Sequence, residues 1–328
     1  MTETVLVALG GNALVRPGEV GNFDQQVENA RGIADAVAEL LANDVRVVVT
    51  HGNGPQVGNV MIQNEVDETE APQMPLFACA AASQGIIAAA LSLAFESAFQ
   101  RKSIDSIPVP MLTPVIVSDV DDDEPTKPVG PFYSESEAEQ RHQKNTVVFK
   151  EDAGRGWRRV VPSPSPERIR CTDQVQYALE NGNVPITTGG GGLPLTSGDD
   201  GYEYVDAIVD KDLTAAQLGA ELKVDRLVIL TDVSHVYLNY GEHDETRLTD
   251  VDCATARRYQ TAGQFERGSM YEKIEAVCQF IESGGKEAII GSLDDVTDAL
   301  KGNAGTRFTP IHTKPNTADA IEDETDTE

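Results

Sequence analysis

The sequence is short of positive charge, and above all of lysine. Against 54 Asp and Glu stand 26 Lys and Arg, a formal net charge of −28 over 328 residues, and only 10 of the cations are lysines. A chain this acidic cannot cover a nucleic-acid backbone, because that requires clustered cations to displace counterions. DNA and RNA are therefore excluded as broad-surface partners. The four cysteines, Cys79, Cys171, Cys253 and Cys278, are far apart and form no CxxC pair. That excludes a zinc ribbon or a disulfide framework and reads as reduced, structural thiols. No basic stretch followed by an apolar run opens the chain, and the most apolar segment, residues 76–99, is interrupted by Ser83, Gln84, Ser92, Glu96 and Ser97. It is expected to be a packed helix rather than a membrane span, which places the protein in the cytoplasm with no membrane partner.

The acid excess runs from Glu3 to Glu328. Self-repulsion on this scale destabilises a compact chain in dilute buffer and is screened when salt shortens the Debye length. A high-salt cytoplasm, as in a halophilic microbe, is the expected setting. The five histidines, His51, His142, His235, His243 and His312, show no ligand spacing, and no resident metal site is expected. Only His51 adjoins a candidate ligand loop.

What the chain does contain is a strand-to-glycine pattern. VLVALGGNAL at 5–14 is an unalternating apolar run that stops in Gly10, Gly11 and Asn12. It reads as a strand buried on both faces followed by a turn whose N–H groups can approach a ligand closely. Helical spacing over 24–42 leads to a second buried strand, VRVVVT at 45–50, which ends in HGNGPQVG. A third strand, within VPITTGGGGLP at 184–194, ends in Gly189–Gly192. Repeated strand, glycine loop and helix mark a parallel sheet that binds ligands outside the strands' carboxyl ends. The three loops are expected to present backbone donors to phosphoryl oxygens. Neither GxGxxG with a distant acid nor GxxxxGK[ST] occurs, so dinucleotide-binding and P-loop enzymes are not supported.

Further strands are expected at 111–117, 225–233 and 287–291, with helices over 75–100 and 269–283. VDAIVDKDLTAAQLGAEL at 205–222 reads as a strand passing into a helix capped by Asp212 or Thr214. Residues 118–152 change composition, and TKPVGPFY gathers two prolines and two aromatics around Lys127, which suggests an ordered excursion. Because cations are few, Lys127, Lys211 and Lys273 stand out as candidates for stabilising a transferring phosphoryl group.

Nine blocks, in order, carry a resemblance: ALGGNAL, THGNGPQVG, SQGII, PTKPVGPF, GWRRVVPSP, GGGGLP, AIVDKDL, VILTDVSHVYLN and GSMYEKIEA. Together they resemble carbamate kinases of the amino acid kinase superfamily. The resemblance implies an α/β fold, an open three-layer αβα sandwich with a mainly parallel sheet, over residues 1–328. Residues 118–152 would form a protruding, lid-like subdomain and 314–328 an acidic flexible tail. It further implies a homodimer that transfers phosphoryl between carbamoyl phosphate and ADP, giving ATP and carbamate at the end of arginine fermentation by the arginine deiminase route. Gly10, Gly11 and Asn12 would hold phosphates, and Gly52, Asn53 and Gly54 the carbamate part. Thr231, Asp232, Tyr237 and Met270 would face the nucleotide. Lys127, Lys211 and Lys273 would share the transferring charge while Asp210 orients them and favours their protonated form. Mg²⁺ would arrive with ADP or ATP, held by phosphate and water.

One departure is visible. Relatives commonly read SMGPK where this chain has Ser269, Met270, Tyr271, Glu272 and Lys273, so the approach of Lys273 is less constrained and a carboxylate is adjacent. Two other readings compete. Another amino acid kinase, acting on a carboxylate or a nucleoside monophosphate, would usually carry a lysine in its first glycine motif, where this chain has Ala8 and Leu9. A non-catalytic nucleotide or anion sensor would tolerate loss of the Asp210–Lys211 pair and Lys273.

Overall fold

The computed structural model describes residues 2–64, 72–118, 120, 124–145, 147–152, 154–198 and 200–310. The tail expected at 314–328 lies outside the described residues, as do parts of 118–152. An eight-stranded sheet runs Asp250–Asp252, Thr306–Thr309, Glu287–Ser292, Arg226–Thr231, Thr4–Leu9, Arg46–His51, Val184–Ile186, Pro108–Pro110. Neighbours are parallel except Glu287–Ser292 against Thr306–Thr309.

The unalternating run of the opening strand has a direct cause in the packing. Val5, Val7 and Leu9 point to one face, where they meet Ile33 and Val37 of the helix Phe23–Leu41 and Phe95 and Phe99 of the helix Leu76–Lys102. Leu6 and Ala8 point to the other, toward Ala215 and Leu218 of the helix Lys211–Leu222 and Ile274 and Val277 of the helix Met270–Glu282. Side chains alternate along a strand, so a strand covered by helices on both faces must be apolar at every position. The three-layer αβα sandwich with a mainly parallel sheet follows. Among the described helices Leu76–Lys102 alone has the length and apolarity to cross a membrane, yet Ile87, Leu91, Phe95 and Phe99 are buried in this core.

From the opening strand the chain builds outward on one side through Arg46–His51, and later on the other through Arg226–Thr231 and Glu287–Ser292. Strand order therefore reverses at Thr4–Leu9. A crevice opens at such a reversal, outside the strands' carboxyl ends.

Three expectations are corrected. Within 111–117 only Pro114–Val117 is a strand, and it belongs to a separate four-stranded sheet with Leu193–Gly198, Gly201–Tyr204 and Pro166–Ile169; Pro108–Pro110 takes the edge of the main sheet instead. Val205–Asp210 is not a strand. Its residues are drawn along the loop that delivers Asp210 to the helix start, and that helix is capped by Asp210 rather than Asp212 or Thr214. The described part of 118–152 forms an antiparallel sheet with a strand from beyond it. Lys127–Tyr133 and Val148–Glu151 flank Trp157–Val161, with the helix Glu135–Asn145 between them in sequence.

Candidate active site

Close packing of glycines brings three strand ends together. A Cβ on Gly10 would lie 2.9 Å from the Leu230 carbonyl oxygen, and one on Gly52 only 2.8 Å from Gly11 Cα. Larger residues would force the opening strand away from its neighbours. The resulting cavity, about 390 Å³, is lined by Gly10, Gly11, Asn12, Gly52, Asn53, Gly54, Lys127, Asp210, Lys211, Thr231, Asp232 and Lys273. All of these were expected from the sequence. Tyr237 and Met270 do not line it. The Tyr237 hydroxyl lies 3.0 Å from Ser234 Oγ and its ring packs near Tyr240, while Met270 is partly buried against the core.

The lysines are held by two aspartates, not one. Asp210 caps the helix Lys211–Leu222: its Oδ1 accepts from the Asp212 and Leu213 N–H groups at 2.9 and 3.3 Å, while Oδ2 accepts from Lys127 Nζ at 3.0 Å. It thus ties the small antiparallel sheet to a helix N-terminus, where negative charge is favoured. Asp212 faces inward, 2.7 Å from Lys211 Nζ and 3.0 Å from Lys273 Nζ. The sequence reading gave Asp210 the role of orienting all three lysines; the geometry leaves it Lys127 and gives the other two to Asp212. Consecutive helical positions point in different directions, so Asp210, as the cap, and Asp212, two residues into the turn, serve different partners.

Burial acts strongly on this cluster. It would push the Asp212 carboxyl up, but the ammonium groups of Lys211 and Lys273 hold it well below the usual carboxylate range. Burial pushes Lys211 below the ordinary lysine value against the pull of Asp212, with the like charge of Lys273 adding to the fall. Lys273 is also desolvated, yet the Asp212 carboxylate raises it. Lys211 Nζ further donates to the Leu9 carbonyl at 3.0 Å, which fixes it beside Gly10. The adjacent carboxylate of Glu272 does not divert Lys273: its Oε1 accepts from the Gly268 N–H at 2.9 Å.

The four-glycine run is not a third phosphate cradle. Gly191 and Gly192 N–H groups bond back to the Thr188 and Gly189 carbonyls, and of the four only Gly190 lines the cavity. Glycine is needed there for close approach, since a Cβ on Gly190 would strike the Asn53 side chain and one on Gly191 the Val209 carbonyl. Gly190, Gly191 and Gly192 also have positive φ.

Asp212, Gly130 and Arg158 line the cavity although the sequence pointed to no site role for them, and for Asp212 only to a helix cap. Asp212 could have been found from its place in AIVDKDL, since a carboxylate one residue after a candidate lysine has few roles on a buried helix start. His51 is not among the lining residues. It is fully desolvated, with Nδ1 3.0 Å from the Gly52 carbonyl, and burial pushes its pKa down to about 4. An unfolded histidine binds its proton near pH 6.5, so between about 6.5 and 4 the unfolded chain holds more protons and stability falls as pH falls. Urea unfolding in concentrated KCl is expected to show about 2–3 kcal/mol less stability at pH 4.5 than at pH 7, and His51→Asn should remove most of that slope.

Among the described residues no group of three or more His, Cys, Asp or Glu could hold a metal ion. The cavity does carry the Asp232 carboxylate, whose Oδ2 accepts from Asn12 Nδ2 at 2.9 Å. One carboxylate beside the Gly10–Asn12 loop fits a Mg²⁺ ion carried in by a nucleotide and coordinated mainly by phosphate and water.

The description of the amino acid kinase family matches residues 3–292. A carbamate kinase of Pyrococcus horikoshii is 40% identical over 314 residues, covering 94% of this chain and 100% of that protein. One from Staphylococcus haemolyticus is 40% identical over 92% of this chain and 98% of its own. The structure of a Giardia lamblia carbamate kinase bound to AMP-PNP superposes with a TM-score of 0.87 at 38% identity, covering 94% of this chain and 98% of that one. With three strand ends, a cavity of about 390 Å³ and a buried lysine cluster in place, the chain belongs to the amino acid kinase family and, within it, to the carbamate kinases.

Proposed function

We propose that the chain transfers a phosphoryl group between carbamoyl phosphate and MgADP, with the residues of the cavity in the following roles. The observation that carries the reading is the pair of buried ammonium groups, Lys211 and Lys273, fixed on Asp212 at the mouth of a glycine loop. A phosphoryl group in flight spreads negative charge over its oxygens and needs little covalent help, so fixed cations in a desolvated site supply most of what the reaction requires. Gly10, Gly11 and Asn12 donate backbone N–H groups to the phosphates. Lys211 and Lys273 stabilise the transferring group, and Lys127, reaching in from the small antiparallel sheet, closes over it. Gly52, Asn53 and Gly54 hold the carbamate; Asn53 is kept in place by its Nδ2 donating to Ser83 Oγ at 2.9 Å. Carbamate is already an anion, so no general base is required, in keeping with a buried neutral His51 outside the cavity.

Thr231 and Asp232 lie at the nucleotide end, and Tyr237 and Met270 would touch only the nucleoside beyond it. Mg²⁺, when bound with the nucleotide, would neutralise phosphate charge next to Asp232. Supply of ATP at the end of arginine fermentation, in a salt-rich cytoplasm, is the physiological setting we infer. The decisive assay mixes the protein, in concentrated KCl, with carbamoyl phosphate and MgADP and follows ATP. Formation well above spontaneous decomposition, with melting temperature and activity both falling as KCl is lowered, is expected; a folded sample that makes no ATP refutes the reading.

A homodimer is supported by exposed apolar side chains on one helix and beside it. The exposed side of the helix Leu76–Lys102 carries Ile86 and Leu93, 39% and 50% exposed, and Leu112, at 58%, stands beside Gly85 and Ala88 of the same helix. The adjacent sheet edge, Pro108–Pro110, lacks two N–H donors and so resists strand-to-strand association. Two copies would therefore pack through helices. Sedimentation is expected to give a dimer, and Leu93→Glu a monomer; wild-type protein that sediments as a monomer refutes the assignment.

A further inference from the structure

The cavity holds one more cation than the sequence assigns. Arg158, on the strand Trp157–Val161, lines it together with Lys127, Gly130 and the Gly52–Gly54 loop. Its Nε donates to the Gly130 carbonyl at 3.0 Å and its Nη1 to Asp152 Oδ2 at 3.1 Å, with the guanidinium carbon 5.1 Å from the Phe132 ring centroid. A guanidinium has five N–H donors in a rigid fork. These two bonds occupy two, and among the described residues the other three find no protein acceptor. The next residue shows that this is not a general property of the strand. Arg159 points to the opposite face, pairs with Asp206 at 3.0 Å and lines a different cavity.

Location narrows the role. The Gly130 residue that Arg158 grips has φ +78° and packs over Gly58, in the helix that begins at Gly54. Arg158 is thus anchored to the wall carrying Gly52–Gly54, whereas Asp232 and Lys273 come from elements on the other side of the opening strand. Its side chain is only 20% exposed, so an anion reaching the free edge of the fork would be largely desolvated.

We propose that Arg158 is a substrate-binding residue whose free N–H edge holds the oxygens of the carbamate group, in carbamate itself or at the carbamoyl end of carbamoyl phosphate. Asp152 and Gly130 are the supports that aim it. The inference rests on the carbamate kinase reading and goes one residue beyond it. A planar carboxylate and a planar fork match as a bidentate pair, which a lysine cannot reproduce.

The test compares wild type, Arg158→Ala, Arg158→Lys and Asp152→Asn by steady-state ATP formation, varying carbamoyl phosphate and MgADP independently, with calorimetric MgADP binding on each. Arg158→Ala is expected to raise the KM for carbamoyl phosphate about 10- to 100-fold, about 1.4–2.8 kcal/mol for a lost charge-assisted hydrogen bond, while Kd for MgADP stays within about threefold. Arg158→Lys should recover part of the loss. Asp152→Asn, which keeps the guanidinium but loosens its support, should raise the KM less than Arg158→Ala does. An unchanged KM for carbamoyl phosphate, an equal rise for MgADP, or an Asp152→Asn effect as large as Arg158→Ala with no recovery in Arg158→Lys would overturn the proposal. Wild-type protein without ATP formation is the separate failure of the kinase reading itself.

Discussion

Lys211→Ala is expected to lower turnover about 10²- to 10³-fold while MgADP still binds, the scale on which one preorganised charge stabiliser contributes. The side chain is 11% exposed and is positioned by two contacts, the Leu9 carbonyl at 3.0 Å and Asp212 at 2.7 Å, so its ammonium group cannot drift from the mouth of the Gly10 loop. No neighbour can substitute for it, since Lys273 is already held on the other oxygen of Asp212. Arg in its place would not restore activity: the guanidinium is broader than the ammonium and would have to displace either the opening strand or Asp212. Asp212 keeps one partner in Lys211→Ala, so the fold should persist, and a calorimetric titration with MgADP separates lost chemistry from lost binding. Turnover within tenfold of wild type would refute the assigned role.

Asp212→Ala should have the largest effect on stability, a loss of about 3–5 kcal/mol in urea unfolding together with loss of activity. The carboxylate is 5% exposed and faces two ammonium groups. Removing it leaves two like charges buried without compensation, and Lys211, already pushed down by burial, would give up its proton more readily. Asp212→Asn keeps the shape but not the charge and should fall between. The contrast is the Arg101–Asp35 pair, 52% and 48% exposed, whose removal should cost less than about 1 kcal/mol because water and salt screen it. If Asp212→Ala and Asp35→Ala destabilise equally, the buried cluster is not what the geometry indicates. Acid does not reach Asp212 first. Its carboxyl is held below the ordinary carboxylate range, so the stability it provides is intact at pH 4.5 and is lost only below the range in which His51 has already acted.

The charge pattern of the chain shows how much of this was legible beforehand. In a protein of net charge −28 with 10 lysines, three of those lysines converge on one cavity, and scarcity made each of them conspicuous in the sequence. Several others, Lys102, Lys150, Lys286 and Lys301, are spent in surface pairs with Glu39, Glu124, Asp225 and Glu39 respectively. The glycine loops after Thr4–Leu9 and Arg46–His51 were equally visible, since each directly follows a buried apolar strand. The run Gly189–Gly192 was misread for a physical reason. Composition cannot tell a glycine that offers its N–H to a ligand from one that lets a neighbour come close: carbonyls crowd Gly191 and Gly192, and side chains crowd Gly189 and Gly190.

What the sequence determined by itself was the layered α/β plan and the cast of the site. Apolar runs without alternation require helices on both faces of a sheet, and the few lysines and paired glycines name the atoms that can meet a phosphate. What only the tertiary structure decided was who holds whom. Asp212 rather than Asp210 joins Lys211 to Lys273, Arg158 enters while Arg159 turns away, and Tyr237 and Met270 stay outside the cavity. These outcomes depend on where a helix begins, which face a strand presents and how closely two backbones approach. Each is set by packing between segments as much as 202 residues apart, as Lys211 and Leu9 are, and local sequence carries no record of it.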